Sequence, residues 1–425
     1  MSSISQPACS SVSIRLSSVN PRKARSHIFF DKIKFYLSSD KSPVSDTSHS
    51  ASSLPSEGLS GQPVPRQSNF ELLRIIAMIM IVAHHYSAHG GFLFDNSAVT
   101  FNRLWTQFLW MGGEISVNIF VLISGYFLIS SHKAKTHKAL KLWLQIFTYS
   151  VVLFVLFKAT GLEPFSFKQL FYTLLPISFP QWWFASTYFI LYLVSPFLNK
   201  LLNALTKQEY QRLLLLLGFF WCFIPTFFKA YLESNNLLWF FYLYAVAGYV
   251  RLHKINSNLS SKTCLLLGMG MLSIIFLSMI IFDILGTRYP MFADRSNYYY
   301  GTYFCGQQKL PAFLASLFLF LGFKKMKIGY RKGINLISSA TFGVYLLHDN
   351  NYMRRFLWYT LFHNASYTES PYLIPHSLCA ILLVFVCCTL IELFRIYGPE
   401  RSYTPLLSKF AAAIDRFQER FFNRL

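Results

Sequence analysis

From residue 69 onward the chain alternates between apolar stretches of 15 to 23 residues and short polar or basic segments. A helix needs about 20 residues, at 1.5 Å each, to cross a hydrocarbon core about 30 Å thick. Ten segments approach that length: 72–89, 114–129, 140–159, 181–198, 212–228, 236–250, 263–285, 309–323, 334–348 and 373–394. The pattern predicts an all-α integral membrane protein of about ten transmembrane helices. The aromatic stretch 165–179 is shorter and reads as a re-entrant or interfacial piece. Residues 1–66 are Ser-rich with scattered basic side chains and have no apolar core ahead of a small-residue cleavage site, which argues against a secretory signal. They read as a disordered cytosolic tail, with an organelle transit peptide as the weaker alternative. The transmembrane domain is then 67–396, followed by a basic cytosolic tail, 397–425.

Composition agrees. Hydrophobic residues make up 53% of the chain and charged residues 13%, against about 25% charged in ordinary soluble domains. Long-range disorder and a string of soluble domains are both excluded. The 39 basic against 18 acidic residues, formally +21, fit either a polyanion binder or basic cytosolic loops. Their positions decide. With the N-terminus in the cytosol, the cytosolic loops carry Lys133, Lys135, Lys138 and Lys141, then Lys200, Lys207 and Arg212, then Arg251, Lys254 and Lys262. The next such loop holds Lys324, Lys325, Lys327, Arg331 and Lys332, and the tail adds six more from Arg395 to Arg424. The opposite loops hold only one to three basic residues each. That asymmetry places both termini in the cytosol and leaves no case for a nucleic-acid partner. Seven cysteines, mostly in apolar segments, show neither C-x-x-C nor Cys/His metal spacing. No metal site, phosphate-binding loop or nucleophile elbow is expected.

Ionisable residues within apolar helices are few, and intramembrane charge is a marker of function. The first helix carries Arg74 near its cytosolic end and His84-His85 toward its other end. Eleven residues turn a helix by three turns plus about 20°, so Arg74 and His85 share a face, about 16 Å apart along the axis. Arg74 could instead snorkel to lipid phosphates, and His85 could cap the helix. In the second helix Glu114 and Asn118 lie one turn apart at the depth of the histidines. Ser124-Gly125 permits close helix approach. Trp183 and Tyr188 open the fourth helix, and His348 with Asp349 closes the ninth. Each of these has a plain alternative, an aromatic belt or a solvated helix end. Tyr298-Tyr299-Tyr300 reads as interfacial belt rather than as a sugar platform.

These residues resemble the membrane-bound acyltransferase-3 family. Arg74 and His85 match its Arg-x10-His motif, within the run Asn69-Phe-Glu-Leu-Leu-Arg74. The stretch from Val117 through Asn118, Phe120 and Ser124 to Tyr126 is similar to a second signature, and Phe342-Gly-Val-Tyr345-Leu-Leu-His348 to a late one. The resemblance covers residues 69–394 and implies transfer of acyl groups, usually acetyl, to carbohydrates. Asn118 stands where many members carry an acidic residue, and Tyr188 where many carry Glu. Those substitutions are similar to the branch that modifies exopolysaccharides and surface glycans, and they leave Glu114 as the candidate carboxylate.

The resemblance implies His85 as general base, with Glu114 or His84 orienting its ring, and Arg74 gripping a phosphate of the donor. The site set is thus His85, Arg74 and Glu114 for catalysis, with His84, Asn118, Trp183, Tyr188 and His348 around the substrate. The expected donor is acetyl-CoA, with no tightly bound cofactor. The expected partners are the acyl-CoA, a glycan acceptor and membrane lipids, and the expected location is a bacterial inner (plasma) membrane. An acyl-His85 intermediate is the alternative to direct transfer. A transporter or flippase of a glycan or lipid-linked sugar is the competing class, though no repeat relates the two halves of the chain. A glycan polymerase would call for a larger outer loop than 286–308 or 350–372.

Overall fold

The computed structural model describes residues 66–95, 98–131, 134–228, 230, 232–254, 258–289, 291–292 and 301–422. Tyr298-Tyr299-Tyr300 and residues 1–65 lie outside the described residues. The described chain is helical, and among the described residues there is no strand. The helices are α1 (Ser68–Ala88), α2 (Phe101–Trp110), α3 (Gly112–Leu128), α4 (Thr136–Ala159), α5 (Phe167–Leu174), α6 (Trp183–Ala204) and α7 (Lys207–Gly218). They continue with α8 (Asn236–Leu252), α9 (Ser261–Arg288), α10 (Leu310–Lys325), α11 (Lys332–Ser339), α12 (Thr341–His348), α13 (Leu373–Tyr397) and α14 (Pro399–Phe422). Each of the ten predicted apolar segments is helical, 212–228 as α7 followed by the abutting π-helical turn Phe219–Phe223 and the short helix Ile224–Phe227, and 334–348 as two abutting helices.

Six stretches among the described residues are long and apolar enough to cross a membrane: Ser68–Ala88, Phe101–Leu128, Thr136–Ala159, Lys207–Phe227, Ser261–Arg288 and Leu373–Tyr397. The other four predicted segments fall short for physical reasons. α6 spans 22 residues but carries Ser186, Thr187, Ser195, Asn199 and Asn203. α8 and α10 have 17 and 16 residues. The segment 334–348 is divided at Ala340 between α11 and α12. α8 is buried without a break from Tyr242 to Val250, as expected of an inner helix that meets protein on every side. α9 is the converse: its buried residues form one stripe, Cys264, Gly268, Ile275, Met279 and Asp283, and its other faces are exposed and apolar.

Close packing uses small residues where the sequence supplies them. A Cβ on Gly125 would stand 2.9 Å from the backbone of Tyr244, so α3 and α8 meet there as the Ser124-Gly125 pair predicts. α1 and α3 run antiparallel: Phe70 packs 5.3 Å from Tyr126 at one end, and Gly113 lies against His84 at the other. The stretch 165–179 contains α5, eight residues long with Phe165, Phe167 and Phe171 exposed. The basic C-terminal segment is the 24-residue helix α14, packed against α4 and α13.

Candidate active site

Helices α1, α3, α4, α6 and the α11–α12 pair enclose a cavity of about 370 Å³. One end is basic, lined by Arg66, Arg74, Lys138 and Lys141, with Glu71 and Ser338 beside them. The other end is lined by His84, His85, Glu114 and Trp183. The walls between are apolar, with Met78, Ile81, Val117 and Phe120 among them. Arg74 and His85 thus stand at opposite ends of one cavity on the same face of α1, as their spacing predicts.

At the basic end, Arg74 Nη1 donates to Glu71 Oε1 at 2.8 Å, and the other Glu71 oxygen accepts from the Ser338 hydroxyl. The pair uses one of the five guanidinium N–H groups and fixes the side chain at the cavity wall. Lys141 is paired with Glu400 of α14. Gln145, also on the wall, donates to Glu392 Oε1 at 2.9 Å. Glu392 is buried, takes a two-pronged grip from Arg395 at 2.8 Å on each oxygen, and accepts from Tyr149. Gly343 faces this carboxylate with no room for a Cβ.

At the histidine end, hydrogen bonds assign the protons. The Val344 carbonyl can only accept, so the 2.6 Å contact places a proton on His348 Nδ1. In the neutral ring His348 Nε2 is then an acceptor, and it lies 2.9 Å from His85 Nδ1. His85 is therefore the donor through Nδ1–H, and its Nε2 keeps a lone pair. Asp349 Oδ1 lies 3.3 Å from the same His85 Nδ1 and accepts from Arg354 Nε at 2.7 Å. His89 Nε2 approaches that oxygen to 3.8 Å. Arg354 is therefore the cation that balances Asp349. A carboxylate beside the Nδ1 edge stabilises the ring when Nε2 takes up a proton.

The remaining predicted residues divide. Glu114 lines the cavity, and its Oε2 is buried with no hydrogen-bond partner among the described residues. His84 lines the cavity but donates from Nδ1 to the Trp110 carbonyl at 2.7 Å, at the end of α2. Neither Glu114 nor His84 orients His85; the orienting groups are His348 and Asp349. Trp183 and Tyr188 line the wall, the Tyr188 hydroxyl 3.2 Å from Ser124 Oγ. His348 is fully buried behind His85. Asn118 lies outside the cavity lining: it is fully buried, donates to the Gln307 carbonyl at 2.9 Å and accepts from Trp239 Nε1 at 2.9 Å. Its amide therefore serves to join α3, α8 and the segment before α10. The sequence reading missed Glu71, Gln145 and Ser338 as cavity residues and read Lys138 and Lys141 chiefly as topology signals. The Glu71–Arg74 spacing of i, i+3 was the available signal.

The fold and this cavity define a helical, multi-pass membrane protein with a polar site enclosed by its helices. The family model described as an acyltransferase domain, Acyl_transf_3, matches residues 67–393. The chain belongs to that acyltransferase-3 family. Neither the comparison with curated proteins nor that with solved structures found a match.

Proposed function

We propose that the protein transfers an acyl group, acetyl in the first instance, from acyl-CoA to a hydroxyl of a cell-surface or exported glycan. The observation that carries the proposal is the single cavity joining four basic side chains to the unprotonated Nε2 of His85. The basic end suits the phosphates of CoA, for which a planar guanidinium offers a bidentate grip. An extended pantetheine arm along the apolar wall would cover the span of about 16 Å from Arg74 to His85. His85 Nε2 takes the proton of the acceptor hydroxyl, whose oxygen attacks the thioester carbonyl. The carbonyl re-forms, the C–S bond breaks, and the proton passes to the departing thiolate. The products are the O-acyl glycan and free CoA. Asp349 stabilises the transient imidazolium through Nδ1. Glu114 has a buried oxygen at the same end, unpartnered among the described residues, and is suited to bind the acceptor hydroxyl.

The proposal includes ten crossings with cytosolic termini in a plasma (inner) membrane. The starts of α1, α4 and α11 gather at the basic end, where cytosolic acyl-CoA would enter. Purified protein in nanodiscs with labelled acetyl-CoA tests the proposal. Label should move to added surface glycan, and His85→Ala should abolish the transfer while the protein accumulates normally. Near-normal transfer by His85→Ala, or acceptor transport without acyl release, would overturn it.

A further inference from the structure

α14 follows α13 after the single residue Gly398. One face packs on the protein through Tyr403, Leu407 and Ala411. At about 100° per residue, Leu406, Phe410, Ala413, Phe417 and Phe421 fall within an arc of about 80° beside that face. Every one of these five is exposed, Leu406 at 71% and Phe417 at 68%. Lys409, Arg416 and Arg420 follow on the far border of the stripe, within about 40° of one another, and Asp415 and Glu419 lie on the opposite side of the helix. Lys409, Arg416 and Arg420 border the apolar stripe while Asp415 and Glu419 face away from it, the pattern of a helix lying in the plane of a membrane surface.

The position of the helix agrees with that reading. Asp415 accepts from Thr136 at the first turn of α4, while Tyr403, Leu406, Leu407 and Phe410 line an apolar groove of about 270 Å³ with Leu144. Leu144 lies just past Lys138 and Lys141, where α4 turns apolar beside Trp143. The end of α13 that leads into α14 is also exposed and apolar, at Leu390, Phe394 and Tyr397. An exposed apolar stripe on a helix that directly follows a candidate membrane span, edged by positive charge, matches one occupant.

We infer that α14 is an interfacial helix that binds acidic phospholipid: its aromatic stripe enters the acyl boundary, and Lys409, Arg416 and Arg420 hold anionic headgroups. Juxtamembrane basic residues attract anionic leaflets in this way. The inference is independent of acyl transfer and of the acyl-CoA site.

The test uses the full-length protein in phosphatidylcholine nanodiscs, with Cys9, Cys379 and Cys387 changed to Ser and a fluorophore on Ala413→Cys. Tracer amounts of nitroxide-labelled phosphatidylglycerol or phosphatidylcholine are then added as quenchers. The Ala413 label should be quenched by both, several-fold more by the phosphatidylglycerol probe, and a label on Ser408→Cys by neither. Adding Lys409→Gln, Arg416→Gln and Arg420→Gln should equalise the two probes at Ala413. A water-exposed Ala413 label, or equal quenching by the two probes before the charges are removed, would overturn the inference.

Discussion

If hydrogen bonds to His348 and Asp349 set the proton position on His85, removing His348 should damage catalysis without damaging donor binding. His348→Ala deletes the acceptor 2.9 Å from His85 Nδ1. A buried donor left without its partner costs about 1–3 kcal/mol, or about 5- to 150-fold in the population of the reactive tautomer at 1.4 kcal/mol per tenfold. Asp349 Oδ1 remains 3.3 Å from the same nitrogen, which puts the expected loss near the lower end, about tenfold in kcat. Losing the base altogether, in His85→Ala, should cost about 10²–10⁴. His348 lies off the cavity wall, so KM for acyl-CoA should hold. His348→Gln keeps a carbonyl acceptor and should recover part of the rate. The double variant His85→Ala/His348→Ala should be no slower than His85→Ala, because the two act as a unit. The assay is initial rate of label transfer from acetyl-CoA to glycan in nanodiscs, on protein that elutes as a single species. Full activity in His348→Ala, or losses that multiply in the double variant, would refute the relay.

Arg74→Lys should raise KM for the acyl donor several-fold with little change in kcat, since an ammonium cannot form the planar fork; an unchanged KM would remove Arg74 from the donor end. Glu71→Gln should act in the same direction by loosening the 2.8 Å pair that fixes Arg74, and titration with CoA would show it as weaker binding. Gly343→Ala must displace the buried Glu392 carboxylate and should lower stability by about 1–3 kcal/mol, read as a lower melting temperature in detergent. Asn118→Asp restores the acidic residue common in the family. It sets a carboxylate oxygen against the Gln307 carbonyl that Asn118 Nδ2 now meets, so it should destabilise by about 1–3 kcal/mol and yield no gain in rate.

Segments such as 263–285 and 373–394 were readable because a lipid-facing helix is apolar over most of its circumference, as α9 and α13 are. α6 and α8 are read less surely by hydropathy because their surroundings are protein. Ser195 and Asn199 of α6 are buried, and Asn199 holds the Leu128 and Ser131 carbonyls. Such residues lower the apolar signal where the helix is most enclosed. The C-terminal helix was hidden for another reason: its basic residues dominate the composition of 397–425, while its apolar stripe shows only at helical spacing.

The same distinction governs the site. Arg74 and His85 were legible because both belong to one helix, and an eleven-residue step fixes their shared face whatever else packs around them. The groups that set the chemistry of His85 come from 263 and 264 positions away, His348 and Asp349, and no local periodicity encodes that meeting. Glu114 and His84 were the nearer and more natural partners in sequence, yet the fold gives His84 to the end of α2 and leaves Glu114 open to the cavity. A carboxylate hydrogen-bonded directly to Nδ1 raises the proton affinity of the ring. A neutral histidine there, with the carboxylate 3.3 Å away and itself balanced by Arg354, fixes the tautomer without committing the ring to the charged form. A base that must be empty at the start of each cycle and stabilised once it is filled is served by that division of labour.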